Sequence, residues 1–184
     1  MARTESNMLE LGTIAPAFSL FDTVTEKTTN LQALKGENGT VIMFICNHCP
    51  FVIHVNPELV RLAKDYENNG IGFIAISSND IHNYPQDAPD LMKAKAKKEK
   101  YPFPYLYDET QKVAKDYKAA CTPDLYLFDA ELELVYRGQL DDSRPGNGLP
   151  LNGKDLRNAL DSLLAGNTID SSQKPSIGCN IKWK

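Results

Sequence analysis

The chain has 184 residues, 42% of them hydrophobic and 24% charged, proportions that suit one globular domain and argue against disorder. A formal net charge of −4 and a pI near 5.4 exclude a global basic surface for nucleic acid or an anionic membrane. Residues 1–7 carry no apolar signal core and no run approaches the ~18 apolar residues of a membrane span, so a cytoplasmic location is expected.

In chain order, residues 12–36 read as a β-hairpin: Pro16, the alternation Phe18-Ser19-Leu20-Phe21, a polar turn near Glu26-Lys27 and a second short run. Asn30 is placed to cap a short turn at Leu31–Leu34. Thr40–Ile45 is an apolar, β-branched run that reads as a strand buried on both faces. Pro50 then opens a helix to about Asn69, with Val52, Val55, Leu59, Leu62 and Tyr66 on one face, Pro57 as an expected kink and Gly70 as its stop.

Ile71–Ser77 is a second continuous apolar strand, as a parallel sheet requires, and Asp87–Lys100 a second helix whose lysine run reads as a solvated face. Tyr101–Asp108 is extended by its two prolines, and Val113–Tyr117 is a short helix. Leu125–Phe128 and Leu132–Tyr136, joined by a turn at Asp129–Glu131, are antiparallel neighbours. A loop rich in glycine, proline and charge leads to a last helix over Lys154–Ala165, and a tail follows with Cys179 and the single tryptophan, Trp183. This order predicts an α/β sandwich built on a mixed sheet.

The chemistry concentrates where the first buried strand meets the first long helix. Cys49-Pro50 puts a sulfur beside the unpaired N–H groups of a helix start, where thiolate is favoured over thiol. Cys46 stands at the end of the strand, either as a small apolar residue or as a partner for Cys49, and His48 lies between them. The remaining cysteines are Cys121, just before Thr122-Pro123, and Cys179. A Cys-x-x-Cys in an α/β pattern points to redox or metal chemistry more than to structural disulfides. Arg137 and Arg144, with Asp141 and Asp142, read as ion pairs that shape their loop; a sharper role has Arg137 stabilise a sulfur leaving group.

The order of elements, the Cys-x-x-Cys at a strand-to-helix junction and Thr122-Pro123 before a late strand resemble the thioredoxin superfamily. The opening Pro16-Ala17-Phe18-Ser19-Leu20-Phe21-Asp22 is similar to its alkyl-hydroperoxide-reductase/thiol-specific-antioxidant branch, the redoxins. Cys-Asn-His-Cys-Pro, Cys-Thr-Pro-Asp and the tail Pro-Ser-Ile-Gly-Cys resemble a bacterial peroxiredoxin-like subgroup. The resemblance implies a thioredoxin-like sandwich with a mixed central sheet flanked by helices and an N-terminal β-hairpin extension. Residues 1–165 are read as one redoxin domain and 166–184 as a tail expected to dock on it.

Within that resemblance the register is shifted. The spacing from a thioredoxin's attacking cysteine to its helix proline, laid on Pro57, falls on Cys49, and the phenylalanine upstream falls on Phe44. Cys49 thus takes the nucleophile's place, with Cys46 or Cys121 to resolve it and His48 to favour the thiolate. Thr122-Pro123 takes the place of the cis-proline loop facing the redox site, where a preceding backbone edge pairs with an extended substrate. The tail is expected to pack through Ile177, Ile181 and Trp183, with Gly178 turning Cys179, which either merely packs or pairs with Cys121.

Three functions compete. A thiol–disulfide oxidoreductase would act on a protein or small-molecule disulfide or thiol, be reset by a thioredoxin-type reductant and need no cofactor or metal. A thiol peroxidase would oxidise Cys49 to a sulfenic acid, but residues 42–49 contain neither proline nor threonine and so lack the peroxiredoxin signature Pro-x-x-x-Thr-x-x-Cys. A copper or zinc module would use Cys46, Cys49, Cys121 and His48 or His54. Neither nucleic acid nor membrane is expected as a partner, and an oligomer is left open.

Overall fold

A computed structural model describes residues 3–184. Ten strands are β1 (Arg3–Glu5), β2 (Ser19–Asp22), β3 (Lys27–Asn30), β4 (Gly39–Phe44), β5 (Ile71–Ser77), β6 (Tyr105–Tyr107), β7 (Cys121–Thr122), β8 (Asp124–Phe128), β9 (Leu134–Gly138) and β10 (Ile177–Asn180). Five helices are α1 (Leu31–Leu34), α2 (Pro50–Asp65), α3 (Pro89–Glu99), α4 (Lys112–Asp116) and α5 (Lys154–Leu164). Among the described residues no helix is long and apolar enough to cross a membrane.

Seven strands form one mixed sheet in the order β3-β2-β6-β5-β4-β8-β9. β4 lies at its heart, parallel to β5 and antiparallel to β8, with Phe44 opposite Ile76 and Asp124. Alternation along β4 splits the core: Val41 and Met43 face α2, α3 and α5, while Ile42 and Phe44 face Leu31 of α1 and Val113 and Ala114 of α4. All six β4 residues are buried, so the strand reads as a continuous apolar run because both faces are covered. This is the thioredoxin-like sandwich, and the N-terminal hairpin forms one edge of the same sheet through β2 and β6.

The element ends differ from the sequence reading for local reasons. α2 stops at Asp65, and a 3-10 turn over Glu67–Asn69 carries the chain to Gly70, whose φ of +70° serves the left-handed stop. Asp87 ends a 3-10 turn instead of opening α3; its carboxylate is drawn to Asn47 and His48, and the helix begins at Pro89. β9 begins at Leu134 because Asp129 Oδ1 accepts from the N–H groups of both Glu131 and Glu133, lengthening the turn. Asn30 caps α1 by accepting from Ala33 N–H at 3.0 Å.

The sequence gives no sign of a second sheet, of order β1-β10-β7, in which the tail strand β10 lies between β1 and β7. Its strands are only two to four residues long, too short to carry a period. Beyond β10, Ile181 is 1% exposed, whereas Trp183 remains 42% exposed with Lys115 Nζ 5.8 Å from its ring centroid. The tail therefore packs through Ile181 and its backbone, not through the tryptophan. Gly178 makes no turn; a Cβ there would stand 2.0 Å from the Thr122 carbonyl oxygen, so the close approach of β10 to β7 requires glycine.

Candidate active site

Cys49 is the N-cap residue of α2, with extended backbone (φ −66°, ψ 123°) and Pro50 at the first helical position. The apolar face of α2 packs onto β4 and fixes the helix start beside Cys46 and the Thr122-Pro123 segment. Thr122–Pro123 is a cis peptide. Cys46, Cys49, Cys121 and Cys179 are all buried, and the first three are thiols with no disulfide.

The Cys49 thiol is lowered from 9.0 to about 4, chiefly by a hydrogen bond from Cys46 and further by the Thr122 side chain, the Val52 backbone N–H and Cys179, against the opposing effect of burial. Val52 N–H is one of the unpaired donors of the helix start, the group that the Cys-Pro junction implies. One contact favours the protonated form: Cys49 Sγ donates to the Thr122 carbonyl at 3.1 Å. Several donors to the thiolate outweigh that single bond. Cys46 is held well above the ordinary thiol range by its hydrogen bond to Cys49, by burial and by the negative charge of Asp87.

His48 lies in the same cluster but nearest a different sulfur. Its Nδ1 is 2.7 Å from Asp87 Oδ2 and 3.9 Å from Cys46 Sγ, and its ring stacks on Tyr84 at 5.4 Å. Asp87 also accepts from Asn47 N–H and from Asn79 Nδ2, each at 2.8 Å. Asn79 Oδ1 in turn accepts from Lys182 N–H at 2.9 Å, tying this carboxylate to the tail. Asp87 and Asn79 were not singled out from the sequence. The available signal was the polar run Ser78-Asn79-Asp80 at the carboxyl end of a parallel strand, where α/β sites gather.

Thr122 Oγ1 is 3.6 Å from Cys46 Sγ, completing a cluster of Cys46, His48, Cys49 and Thr122. Cys121 stands beside that cluster, but its thiol is directed at the carbonyls of Pro123 (3.5 Å) and Ser176 (4.0 Å), and burial with Asp124 pushes it far up. Cys179 is hydrogen-bonded with Cys49, not turned toward Cys121, and is raised to about 12 by burial and by that bond. Arg137 is held by Gln173 at 2.8 Å, and among the described residues no arginine hydrogen-bonds the Cys49 sulfur.

The metal ligands suggested by the sequence separate. His54 bonds Ser143 at 2.8 Å, and Cys121 is turned away as described. What remains is Cys46, His48 and Asp87, whose ligand atoms lie within 4.8 Å of one another. The Asp87 oxygens already accept from Asn47, Asn79 and His48, the bonding of a carboxylate that positions an imidazole.

Beside the cis proline, Asp124 is 0% exposed and raised from 3.8 to about 6 by burial, although its Oδ2 accepts from Ala120 N–H at 3.1 Å. Because the folded chain holds this proton more tightly than the unfolded chain, stability falls as pH rises from about 4 to about 6. The charged carboxylate then costs ~3 kcal/mol above pH 6. Asp124→Asn is expected to raise the urea midpoint at pH 7.5 and leave it unchanged at pH 4; an equal shift at both would rule out the buried charge as the cause.

A protein from Geobacillus kaustophilus described as uncharacterized and conserved is 59% identical over 100% of this chain and 97% of its own, with a TM-score of 0.98. A hypothetical protein from Sinorhizobium meliloti is 45% identical over 98% of both chains, with a TM-score of 0.95. A peroxidoxin from Mycobacterium tuberculosis shares the fold at 17% identity and a TM-score of 0.63, over 84% of this chain and 96% of its own. No curated protein matches the chain. The model of the AhpC/TSA family matches residues 11–137, from the first hairpin through the cysteine cluster to β9, and the chain belongs to that family.

Proposed function

We propose that the protein is a thiol–disulfide oxidoreductase of the redoxin type. The observation that carries this reading is the Cys49 sulfur at the start of α2, 3.1 Å from the Thr122 carbonyl beside the cis Pro123, a position where Cys46 and the Val52 N–H favour the thiolate. The Cys49 thiolate attacks one sulfur of a substrate disulfide, forms a mixed disulfide and expels the other half as a thiolate. A second cysteine of the same opening releases the bound half and leaves an internal disulfide, which a thioredoxin-type dithiol reduces. Cys46, at hydrogen-bond reach, is the resolving candidate offered by the Cys-x-x-Cys; Thr122 and His48 hold it in place.

The peroxidase reading has less support, since residues 42–49 lack the threonine of the peroxiredoxin signature and, among the described residues, no arginine hydrogen-bonds the Cys49 sulfur. Reduction of a small aromatic disulfide is expected to be at least about tenfold faster than hydrogen peroxide turnover at equal concentration, a barrier difference of ~1.4 kcal/mol. Stopped-flow rates for both substrates, with Cys49→Ser as the inactive control, test this. Faster sulfenic acid formation at Cys49 than disulfide attack would reverse the assignment.

A further inference from the structure

Cys49 is wholly buried, although a nucleophile must meet its substrate. Among the groups packed against it is the chain's own tail. β10 runs antiparallel to β7 with Cys179 opposite Thr122 and Asn180 opposite Cys121, which is the backbone edge beside the cis proline. Gly178 lies hard against the Thr122 carbonyl, and Cys179, 2% exposed, is hydrogen-bonded with Cys49. An extended backbone seated on this edge, with a sulfur presented to Cys49, has the form of a bound polypeptide thiol.

We propose that Cys179 is the resolving thiol of the Cys49 site, carried on a strand that occupies the place of an extended polypeptide disulfide. The proposal rests on Cys49 being the nucleophile and changes the partner that follows it. The surroundings of the two neighbouring thiols favour Cys179. Cys46 keeps the negative Asp87 beside it after Cys49 has reacted. Cys179 is opposed by burial and by the Cys49 sulfur and charge, and it is assisted by Lys182. The opposing effect of Cys49 ends when that sulfur enters a mixed disulfide. The strand and the substrate compete for β7, so return of β10 brings Cys179 to the Cys49 sulfur and displaces the substrate.

The electron balance is closed by the disulfide. In the first step Cys49–S⁻ and R–S–S–R′ give Cys49–S–S–R and R′–S⁻, which takes a proton from water. In the second, the Cys179 sulfur attacks Cys49–S–S–R, giving Cys49–S–S–Cys179 and R–S⁻, and the Cys179 proton goes to the departing thiolate. The substrate gains two electrons and the protein loses two.

A peptide carrying a 2-thiopyridyl disulfide separates the steps: pyridinethione release reports attack by Cys49, and free peptide thiol reports resolution. For the wild type, acid quenching and peptide mapping are expected to show a Cys49–Cys179 disulfide. Cys179→Ser should release pyridinethione but keep the peptide on Cys49, with resolution slowed at least about a hundredfold because the attacking sulfur is gone. Cys46→Ser should still give Cys49–Cys179. Gly178→Ala, which forces β10 off Thr122, should quicken the first step and slow the second. A Cys46–Cys49 disulfide in the wild type, or wild-type resolution in Cys179→Ser, would overturn the assignment while leaving Cys49 as nucleophile. Absence of pyridinethione from both wild type and Gly178→Ala would overturn that reading and this one together.

Discussion

The reduced protein is expected to gain stability as pH rises from about 4 toward 9, and Cys49→Ala to lose that gain. The Cys49 thiol titrates at about 4 in the folded chain against 9.0 for an ordinary thiol. Between those values the unfolded chain binds the proton that the folded chain has released, so stability rises with pH, is complete above 9 and is lost as pH falls through 4. At ~1.36 kcal/mol per pH unit the contribution at pH 7 is ~4 kcal/mol, a large part of a typical domain's stability. Asp124 works in the opposite sense between about 4 and 6, so the rise should emerge chiefly above pH 6. Urea unfolding at pH 5, 7 and 8.5 with reductant, for wild type and Cys49→Ala, measures the difference. Parallel profiles would mean that Cys49 stays protonated in the folded chain. Alkylation adds a kinetic check: if the tail opens alike at each pH, the Cys49 rate should be nearly flat from pH 5 to 8.

The same residue shows where the sequence was readable. Cys49-Pro50 after a buried strand puts a sulfur at the start of α2 from local rules alone, since strand period, helix period and helix-start chemistry agree within a dozen residues. Thr122-Pro123 beside the cysteines was readable only through the family resemblance, because nothing local to residues 121–123 says which part of the chain they face. The partners of the sulfurs were less legible. His48 was placed beside Cys49 by adjacency, but side chains leaving a loop need not share a direction, and Asp87, distant in sequence, draws it toward Cys46. Docking of the tail was expected from two isoleucines and the tryptophan, of which Trp183 stays exposed, and the strand was not expected, since β10 is specified by backbone pairing on β7 and by the space beside Thr122 that suits Gly178. Pairing between distant edges leaves almost no periodic trace in a four-residue strand.

The second large effect concerns what holds α2 in place behind the end that carries Cys49. Glu58, wholly buried in α2, accepts from Arg157 Nε at 2.9 Å and Nη2 at 2.8 Å, and also pairs with Arg61. Arg157 in α5 reaches Asp65 at 2.8 Å as well, so one guanidinium fastens α5 across the middle and end of α2. Arg157→Ala leaves the carboxylate with Arg61, whose side chain is 57% exposed and holds it far less well. The expected loss is ~3 kcal/mol at pH 7, since a buried charge stripped of its main partner keeps its desolvation cost. Glu58→Leu with Arg157→Leu removes both charges among Leu59, Leu62 and Leu156, and should recover most of that loss. Urea unfolding of the single and double variants decides the matter; a double variant as weak as the single would assign the effect to packing instead of charge. Cys49 lies at the other end of the helix and touches none of these groups. Its alkylation rate in the folded single variant should therefore stay within about threefold of wild type, separating support of the helix from chemistry at its start.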